Sequence, residues 1–308
     1  MKRLLAYALI PLSLLPFAVI VPAIVRSHER YVRANEMGPL PAPAGVELDG
    51  RFSRTSAHPG RVPVLVWNEL EPRSFARQLL LLRKLGYRSI SAHDWARFRA
   101  GERVKLPARP VLLTVDGGRL DAYRRADAVL KRLGMRATMF AVTGPTEDGD
   151  PDYLRWNELQ RMRASGRWDV QPGAHRGRAT VAIGPGGRQA PFYVARRYTR
   201  SGGVESRAAW ERRVAGDLFA LRTRFEHHGI APVAIAVPYG DTGARTTNDR
   251  ALPRLLRGLL ERQFGNWFAQ AADADFTTPG DGRAERFALH RGTSSDDLYR
   301  WLRRHAKN

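Results

Sequence analysis

The sequence predicts an α/β domain whose mostly parallel sheet closes into a complete or incomplete barrel. Short runs of β-branched and apolar residues alternate with amphipathic helical segments six or seven times from residue 62 onward. This alternation is typical of parallel sheets, because a parallel neighbour can be reached only through a crossover connection. The number of units favours a barrel over an open sheet. In barrels of this kind, functional side chains lie at the C-terminal ends of the strands.

Each predicted element has its own pattern. The strands are short apolar runs at residues 62–67, 87–91, 111–115, 137–142, 168–171, 233–237 and 286–289. The helices repeat apolar residues at helical spacing at 74–85, 93–99, 120–133, 154–164, 205–227, 252–264 and 295–305. The first helix carries Phe75, Leu79 and Leu82 on one face. Gly134 follows the predicted helix at 120–133, at a C-terminal position where glycine is favoured. Residues 173–203 form a polar, glycine-rich insertion.

The N-terminal segment predicts a membrane anchor. Residues 4–25 form an uncharged stretch of 22 residues that follows Lys2 and Arg3. A bilayer-spanning helix needs about 20 apolar residues. A cleaved signal peptide is the alternative, but the apolar core is long and no small-x-small cleavage site precedes Arg26. We therefore expect one transmembrane helix within residues 1–25, a proline-rich flexible tether over 26–60, and a folded domain over 61–308.

Composition restricts the possible partners. The chain has no cysteine, which excludes disulfides and thiolate metal sites. The formal net charge is +21, yet neither a compact basic run nor a basic stripe interleaved with aromatic residues is present. Nucleic acid is therefore not an expected partner. Diffuse positive charge favours contact with anionic lipid headgroups or acidic envelope polymers.

Several segments at predicted strand ends resemble one known family in order and spacing. They are Val-Pro-Val-Leu-Val-Trp-Asn at 62–68, Thr-Val-Asp-Gly-Gly at 114–118, Gly-Met-Arg-Ala-Thr-Met-Phe at 134–140, and Pro-Tyr-Gly-Asp at 238–241. Together they are similar to the polysaccharide deacetylases of the NodB type, carbohydrate esterase family 4. Thr-Asn-Asp at 247–249 resembles the subgroup associated with exopolysaccharide synthesis. The resemblance implies an irregular (β/α)7-type NodB barrel.

The resemblance also implies a chemistry. Members of this family remove N-acetyl groups with a divalent metal such as zinc, which activates water and polarises the amide carbonyl. The metal is held by the second Asp of the signature pair and two histidines, and the first Asp is the general base. In this chain the base position is Asp116, whereas the ligand positions fall at Gly117, Gly173 and Arg178. Glycine has no side-chain donor and arginine no lone pair, so we expect no metal cofactor.

Other residues at the strand ends are candidates for a sugar-binding groove. Trp67 and Asn68 end the first strand, His175 and Arg178 follow the fifth, and Pro238, Tyr239, Gly240 and Asp241 form the loop after the sixth. Arg178 is further expected to place its guanidinium where the metal would lie and to pair with Asp116. His290 resembles the late general acid of the family.

Each candidate has a structural alternative. Asp116 could cap the following helix or pair with Arg119. His175 could be a solvated loop residue, and Trp67 could belong to the core. Tyr239 and Asp241 could serve only the turn that contains them.

The sequence therefore favours a degenerate deacetylase that keeps a glycan groove and has lost metal hydrolysis. Its expected partners are a cell-surface or exported polysaccharide, the membrane through the N-terminal helix, and a polysaccharide synthase. The expected location is extracytoplasmic, because the substrates of the family are cell-surface glycans. The alternative is an active hydrolase that recruits a metal through Asp116, His175 and another group such as Asp241.

Overall fold

The computed structural model of the chain describes residues 52, 60–244, 246–280 and 284–306. The predicted anchor and most of the predicted tether lie outside these residues. Within the described part, no helix combines the length and the apolar character needed to cross a bilayer.

Twelve strands and eight α-helices are found in the described residues. The strands are β1 Val64–Trp67, β2 Arg88–Ser89, β3 Pro110–Gly117, β4 Ala137–Val142, β5 Trp168–Ala174, β6 Thr180–Ala182, β7 Gln189–Pro191, β8 Tyr198–Thr199, β9 Gly203–Val204, β10 Ile235–Ala236, β11 Trp267–Ala271 and β12 Ala284–Leu289. The helices are α1 Pro72–Lys84, α2 Ala92–Arg99, α3 Leu120–Leu133, α4 Thr143–Glu147, α5 Trp156–Ala164, α6 Arg207–His227, α7 Leu252–Phe264 and α8 Ser295–His305.

Seven of the strands run in the order β10-β11-β12-β1-β3-β4-β5, and β2 pairs with β3 as an eighth member of the sheet. Every strand pairing in this sheet is parallel. The two ends of the path approach each other, because the side chain of Gln171 on β5 accepts hydrogen bonds from the backbone N–H groups of Val233 and Ala234, at 2.9 and 3.4 Å. One carboxamide thus replaces a strand ladder, and the barrel is nearly closed. The predicted α/β barrel is confirmed.

Local signals explain where the helices begin and end. Ser91 and Ser294 each cap a helix in a reciprocal capping box with the Asp three residues later. Gly134 ends α3 with φ of 59° and ψ of 37°, the left-handed conformation that glycine adopts without strain. The predicted bounds of α3, α7 and α8 agree with the structure, and these short-range features account for the C-terminus of α3 and the N-terminus of α8.

The lower half of the barrel interior is apolar. Val64, Leu112, Phe140, Ala236 and Phe268 are buried in one cluster. Strand side chains alternate between the two faces of a sheet, so the next inward positions toward the C-terminal ends are Val66 on β1, Thr114 and Asp116 on β3, and Gln270 on β11. The polar side chains of the barrel interior therefore lie at the C-terminal ends of the strands, above an apolar core.

Three features differ from the prediction. The insertion at 173–203 contains two small antiparallel hairpins, β6–β7 and β8–β9. Their strands are too short and too polar to be predicted from a sequence pattern. Strand β11 begins only two residues after Gly265 at the end of α7, so the sequence gives little room to separate the two. The five-residue helix α4 was also not predicted. Contacts with neighbouring strands, which lie far away in the sequence, determine these elements.

Candidate functional site

A cavity of about 220 Å³ opens at the C-terminal ends of the barrel strands. Of the residues predicted to line the site, it brings together Asn68, Asp116, Gly117, Gly173, Arg178, Pro238 and Tyr239. Phe140, Val142, Ala236 and Gln270 complete the lining. The location agrees with the general rule for barrels of parallel strands.

Asp116 forms an ion pair with an arginine that lies 170 residues later in the sequence. Arg286 on β12 donates from Nη1 to Asp116 Oδ1 at 2.6 Å and from Nη2 to Oδ2 at 2.8 Å. The Arg286 side chain is fully buried beside the rings of Phe140 and Phe268, whose centroids lie 5.4 and 5.7 Å from its guanidinium carbon. A further hydrogen bond, of 3.2 Å, reaches Thr114 Oγ1. This bidentate pair holds the carboxylate in a fixed orientation and balances its charge.

Two interpretations of Asp116 are therefore wrong. Its partner is neither Arg178 nor Arg119, since Arg119 pairs with Asp121 and Asp152 at the surface. The reason is the register of the sheet: β1 lies between β3 and β12, and the inward side chains of these two strands meet across it. The Asp116 side chain is 12% exposed, on the side that faces the cavity.

The Arg178 guanidinium lies over Gly117. A Cβ atom placed on Gly117 would lie 3.0 Å from Arg178 Nη1, and the φ of Gly117 is 110°. Both the space and the backbone conformation are unfavourable for an Asp at this position, because a non-glycine residue is strained at such a φ. A Cβ on Gly173 would lie 3.0 Å from the Phe140 carbonyl oxygen, which is also tight. The backbone at both positions is thus adapted to glycine.

The loop that carries Arg178 is anchored from several sides. The Arg176 N–H donates to Asp217 Oδ1 at 2.8 Å, and the Tyr193 hydroxyl donates to Asp217 Oδ2 at 2.6 Å. Gly177 packs so closely on Tyr193 that an added Cβ would lie 2.3 Å from its ring. The side chain of Arg176 makes two bonds to Asp148, of 2.8 and 2.7 Å. The backbone beneath Arg178 is therefore well ordered by its contacts.

Tyr239 supports Arg178 from the other side. Its hydroxyl donates a short hydrogen bond to the Arg178 carbonyl oxygen, and the guanidinium carbon lies 5.8 Å from its ring centroid. Within the described ranges, Tyr239 is the one non-glycine residue with a positive φ, 60°. Such a conformation costs about 1–3 kcal/mol and persists where surrounding contacts maintain it. The strained turn points an aromatic ring at the cavity.

A pair of carboxamides forms another part of the wall. Asn68 Nδ2 donates to Gln270 Oε1, and Gln270 Nε2 donates to Asn68 Oδ1, each at 3.0 Å. Each carbonyl oxygen is thus occupied by the partner amide, whereas each amide keeps a second N–H. Gly240 makes this arrangement possible, because a Cβ there would lie 2.4 Å from the Gln270 side chain.

The cavity lining does not include the predicted groove residues Trp67, Gly240 and Asp241, nor the predicted general acid His290. Trp67 points to the opposite face of β1 from Asn68, where its Nε1 donates to Gln78 Oε1 at 2.8 Å, so the core interpretation is right. Asp241 is buried and accepts a hydrogen bond of 2.8 Å from the Gly243 N–H, which is the predicted turn chemistry. His290 is exposed beyond the end of β12.

His175 is neither in the cavity lining nor solvated, so both expectations for it are wrong. It is 9% exposed, and its Nδ1 lies 2.9 Å from Thr143 Oγ1. Burial, and next the positive charge of Arg224, lower the pKa of His175 below its usual value of about 6.5. The imidazole fixes the start of the loop that carries Arg178, and its backbone carbonyl accepts from the Gly144 N–H at 3.0 Å.

These side chains do not suit the metal centre that the resemblance implies. An open zinc site needs about three protein donors, and the described residues contain no group of three His, Cys, Asp or Glu side chains placed to hold a metal ion. Gly117 and Gly173 provide none, Arg178 is cationic, and Asp116 already has both oxygens engaged by Arg286. His175 and Asp241, the donors of the alternative site, do not line the cavity. The donor set and a divalent cation do not fit.

Residues 103–175 match the family model for polysaccharide deacetylases. The de-N-acetylase of Aggregatibacter actinomycetemcomitans superposes with a TM-score of 0.68 at 18% identity, over 79% of this chain and 100% of that chain. The deacetylase domain of BpsB from Bordetella bronchiseptica gives 0.64 at 21% identity, over 77% and 98%. IcaB from Ammonifex degensii gives 0.58 at 22%, over 82% and 100%. No curated protein matches the chain. The fold is that of the polysaccharide deacetylases.

The predicted resemblance to polysaccharide deacetylases is thus confirmed. Two polar side chains at this site were not predicted from the sequence: Arg286 and Gln270. The available signal for Arg286 was its position on β12, two residues after the inward-facing Ala284. Gln270 lies on β11, which was not predicted, and it faces Arg286 in the register of the two strands.

Proposed function

We propose that this deacetylase-like domain binds a glycan chain without hydrolysing its N-acetyl groups, as an accessory to the synthesis or export of an envelope polysaccharide. One observation carries the proposal: the Arg178 guanidinium lies over Gly117, where a family member would have its metal-binding carboxylate. The resemblance puts Asp116 at the base position of the family, and Phe140 and Tyr239 give the cavity an aromatic wall. The cavity lacks the donors for a metal-activated water.

The cavity wall supports carbohydrate binding. An aromatic face such as that of Tyr239 packs on the apolar face of a pyranose ring. The free amide N–H groups of Asn68 and Gln270 can donate to sugar hydroxyls. The cavity is smaller than the roughly 300–1,000 Å³ of pockets for drug-sized ligands, which favours one sugar residue of a polymer over a complete small molecule.

The test measures turnover and binding on the same sample. Acetate release from chitohexaose, a neutral hexamer of N-acetylglucosamine, is followed with and without added zinc, cobalt or nickel. We expect no release above the level of an Asp116→Asn variant, whose amide keeps the shape of the carboxylate. Calorimetric titration with the three metals should give no stoichiometric binding. Metal-dependent acetate release that Asp116→Asn abolishes would establish the active hydrolase instead.

We also propose that the domain lies outside the cytoplasm on its N-terminal anchor. The uncharged stretch at 4–25 and the envelope location of family substrates support this location. An alkaline phosphatase fusion at the C-terminus should be active in intact cells, because that enzyme folds only in the periplasm. An inactive phosphatase fusion together with an active cytoplasmic reporter fusion would refute the proposed topology.

A further inference from the structure

The charged groups on the cavity wall do not cancel. Among the lining residues, Asp116 is the one anion and Arg178 the one cation. Both carboxylate oxygens of Asp116 accept hydrogen bonds from Arg286, a fully buried residue behind the cavity wall. The carboxylate and Arg286 form a neutral pair, so the charge that remains toward the cavity is that of Arg178.

The Arg178 guanidinium is free to bind a ligand. In the part of the chain that the structure describes, no carboxylate lies within ion-pair distance of it, although fifteen other arginines have such partners. The guanidinium lies near the Tyr239 ring and over the backbone of Gly117. The planar fork of an arginine suits an oxyanion, which it can bind with two parallel hydrogen bonds.

The position of this cation is prepared by the fold. The loop beneath it is held by Asp217 and Tyr193, and the Tyr239 hydroxyl bonds the Arg178 carbonyl. Little backbone ordering is then needed on binding, which favours affinity. The nearby amides of Asn68 and Gln270 add neutral donors without adding repulsion.

We infer that the cavity binds an acidic sugar and that Arg178 is the residue that recognises its carboxylate or phosphate. The inference rests on the glycan-binding role proposed above and gives the chemical class of its ligand. The site has exchanged a bound cation for a fixed one, so its preference among sugars moves toward those with negative charge. The overall net charge of +21 attracts an anionic polymer to the same protein.

The experiment compares charged and neutral glycans by calorimetry at low ionic strength, with the full chain in detergent. The probes are a hyaluronan hexasaccharide, which alternates glucuronate with N-acetylglucosamine, and chitohexaose. We expect hyaluronan to bind about tenfold or more tightly than chitohexaose, and the difference to shrink at 0.5 M salt. Glucuronate and N-acetylglucosamine 6-phosphate, each compared with N-acetylglucosamine, then distinguish carboxylate from phosphate as the preferred anion.

Two variants assign the preference to one side chain. Arg178→Gln should remove the advantage of hyaluronan over chitohexaose. Arg188→Gln removes the same charge from the same insertion, at an exposed position outside the lining, and should keep the advantage. Arg178→Lys keeps the charge without the fork and should give an intermediate preference. Unchanged urea midpoints verify that the variants fold.

The results separate this inference from the proposed function. Equal affinity of the wild-type protein for hyaluronan and chitohexaose, or an Arg178→Gln variant that keeps the preference, would refute the acidic-sugar site and leave glycan binding in place. If neither oligosaccharide binds, both proposals are wrong. Acetate release from chitohexaose would refute the proposed function irrespective of charge preference.

Discussion

Removing the Asp116 carboxylate should destabilise the domain more than removing its arginine partner. Asp116→Ala leaves the Arg286 guanidinium, whose side chain is 0% exposed, without an anion. Thr114 Oγ1 at 3.2 Å and the Ala269 carbonyl oxygen at 3.4 Å are its remaining acceptors within the described part of the barrel. Breaking a buried ion pair from one side costs about 3–5 kcal/mol. The flanking phenyl rings offset little, since a cation–π contact contributes about 0.5–2 kcal/mol and is already present.

The reverse change leaves a charge that can reach water. In Arg286→Met, the Asp116 carboxylate remains at the cavity wall with 12% of its side chain exposed. Water from the cavity can solvate it, so the expected cost is about 1–3 kcal/mol. The double variant Asp116→Ala/Arg286→Met leaves no unpaired charge and should be more stable than Asp116→Ala alone, because an ion pair replaced by apolar groups is often neutral in stability.

Urea unfolding followed by tryptophan fluorescence measures all three variants in the full chain, at a fixed concentration of non-ionic detergent. With a slope of about 3 kcal/mol per molar urea, Asp116→Ala should lower the midpoint by about 1–1.7 M. The comparison between the single and the double variants is the decisive one. A double variant less stable than Asp116→Ala would show that Arg286 contributes by packing and not by neutralising the carboxylate, and the reasoning would fail.

Three further substitutions test how the barrel holds the site. Gly177→Ala places a Cβ 2.3 Å from the Tyr193 ring and should cost about 1–3 kcal/mol in urea unfolding, whereas Gly184→Ala, with nothing within 4 Å of its Cβ, should change stability little; equal costs would contradict the packing argument. Gln171→Ala leaves two backbone N–H groups unpaired where the barrel nearly closes and should cost about 2–4 kcal/mol, with faster amide hydrogen exchange at the segment before β10; unchanged exchange there would refute the bridging role. Burial lowers the pKa of His175, so its contribution to stability is complete above about pH 6.5 and declines as the pH falls below that value. The urea midpoint of wild type should therefore fall more between pH 7.5 and 5.5 than that of His175→Gln. Equal falls in the two midpoints would contradict this role of the buried imidazole.

Much of the fold could be predicted because its signals are short-range. Helical spacing and the glycine that follows a helix are features of one or two turns, and the bounds predicted from them for α3, α7 and α8 are the observed ones. The insertion that carries Arg178 was different. Its hairpins are two or three residues long, and Gly177 is required by the ring of Tyr193, a contact that no local pattern encodes.

The candidate site divides in the same way. The C-terminal end of β3 could be recognised from the apolar run that precedes Asp116. His175 was placed in the groove because it follows β5, yet the bond to Thr143 turns it away from the cavity. Trp67 and Asn68 are neighbours on one strand, so only one of them could face the interior.

The sequence alone predicted a barrel of parallel strands from its local periodicity. Its resemblance to the polysaccharide deacetylases implied that Gly117, Gly173 and Arg178 stand at the positions where that family has its metal ligands. Only the tertiary structure paired Asp116 with Arg286, 170 residues away, and brought Arg178 over Gly117. Such pairings depend on the register of the barrel strands and on the anchoring of the loops, which arise when all strands close around a common core.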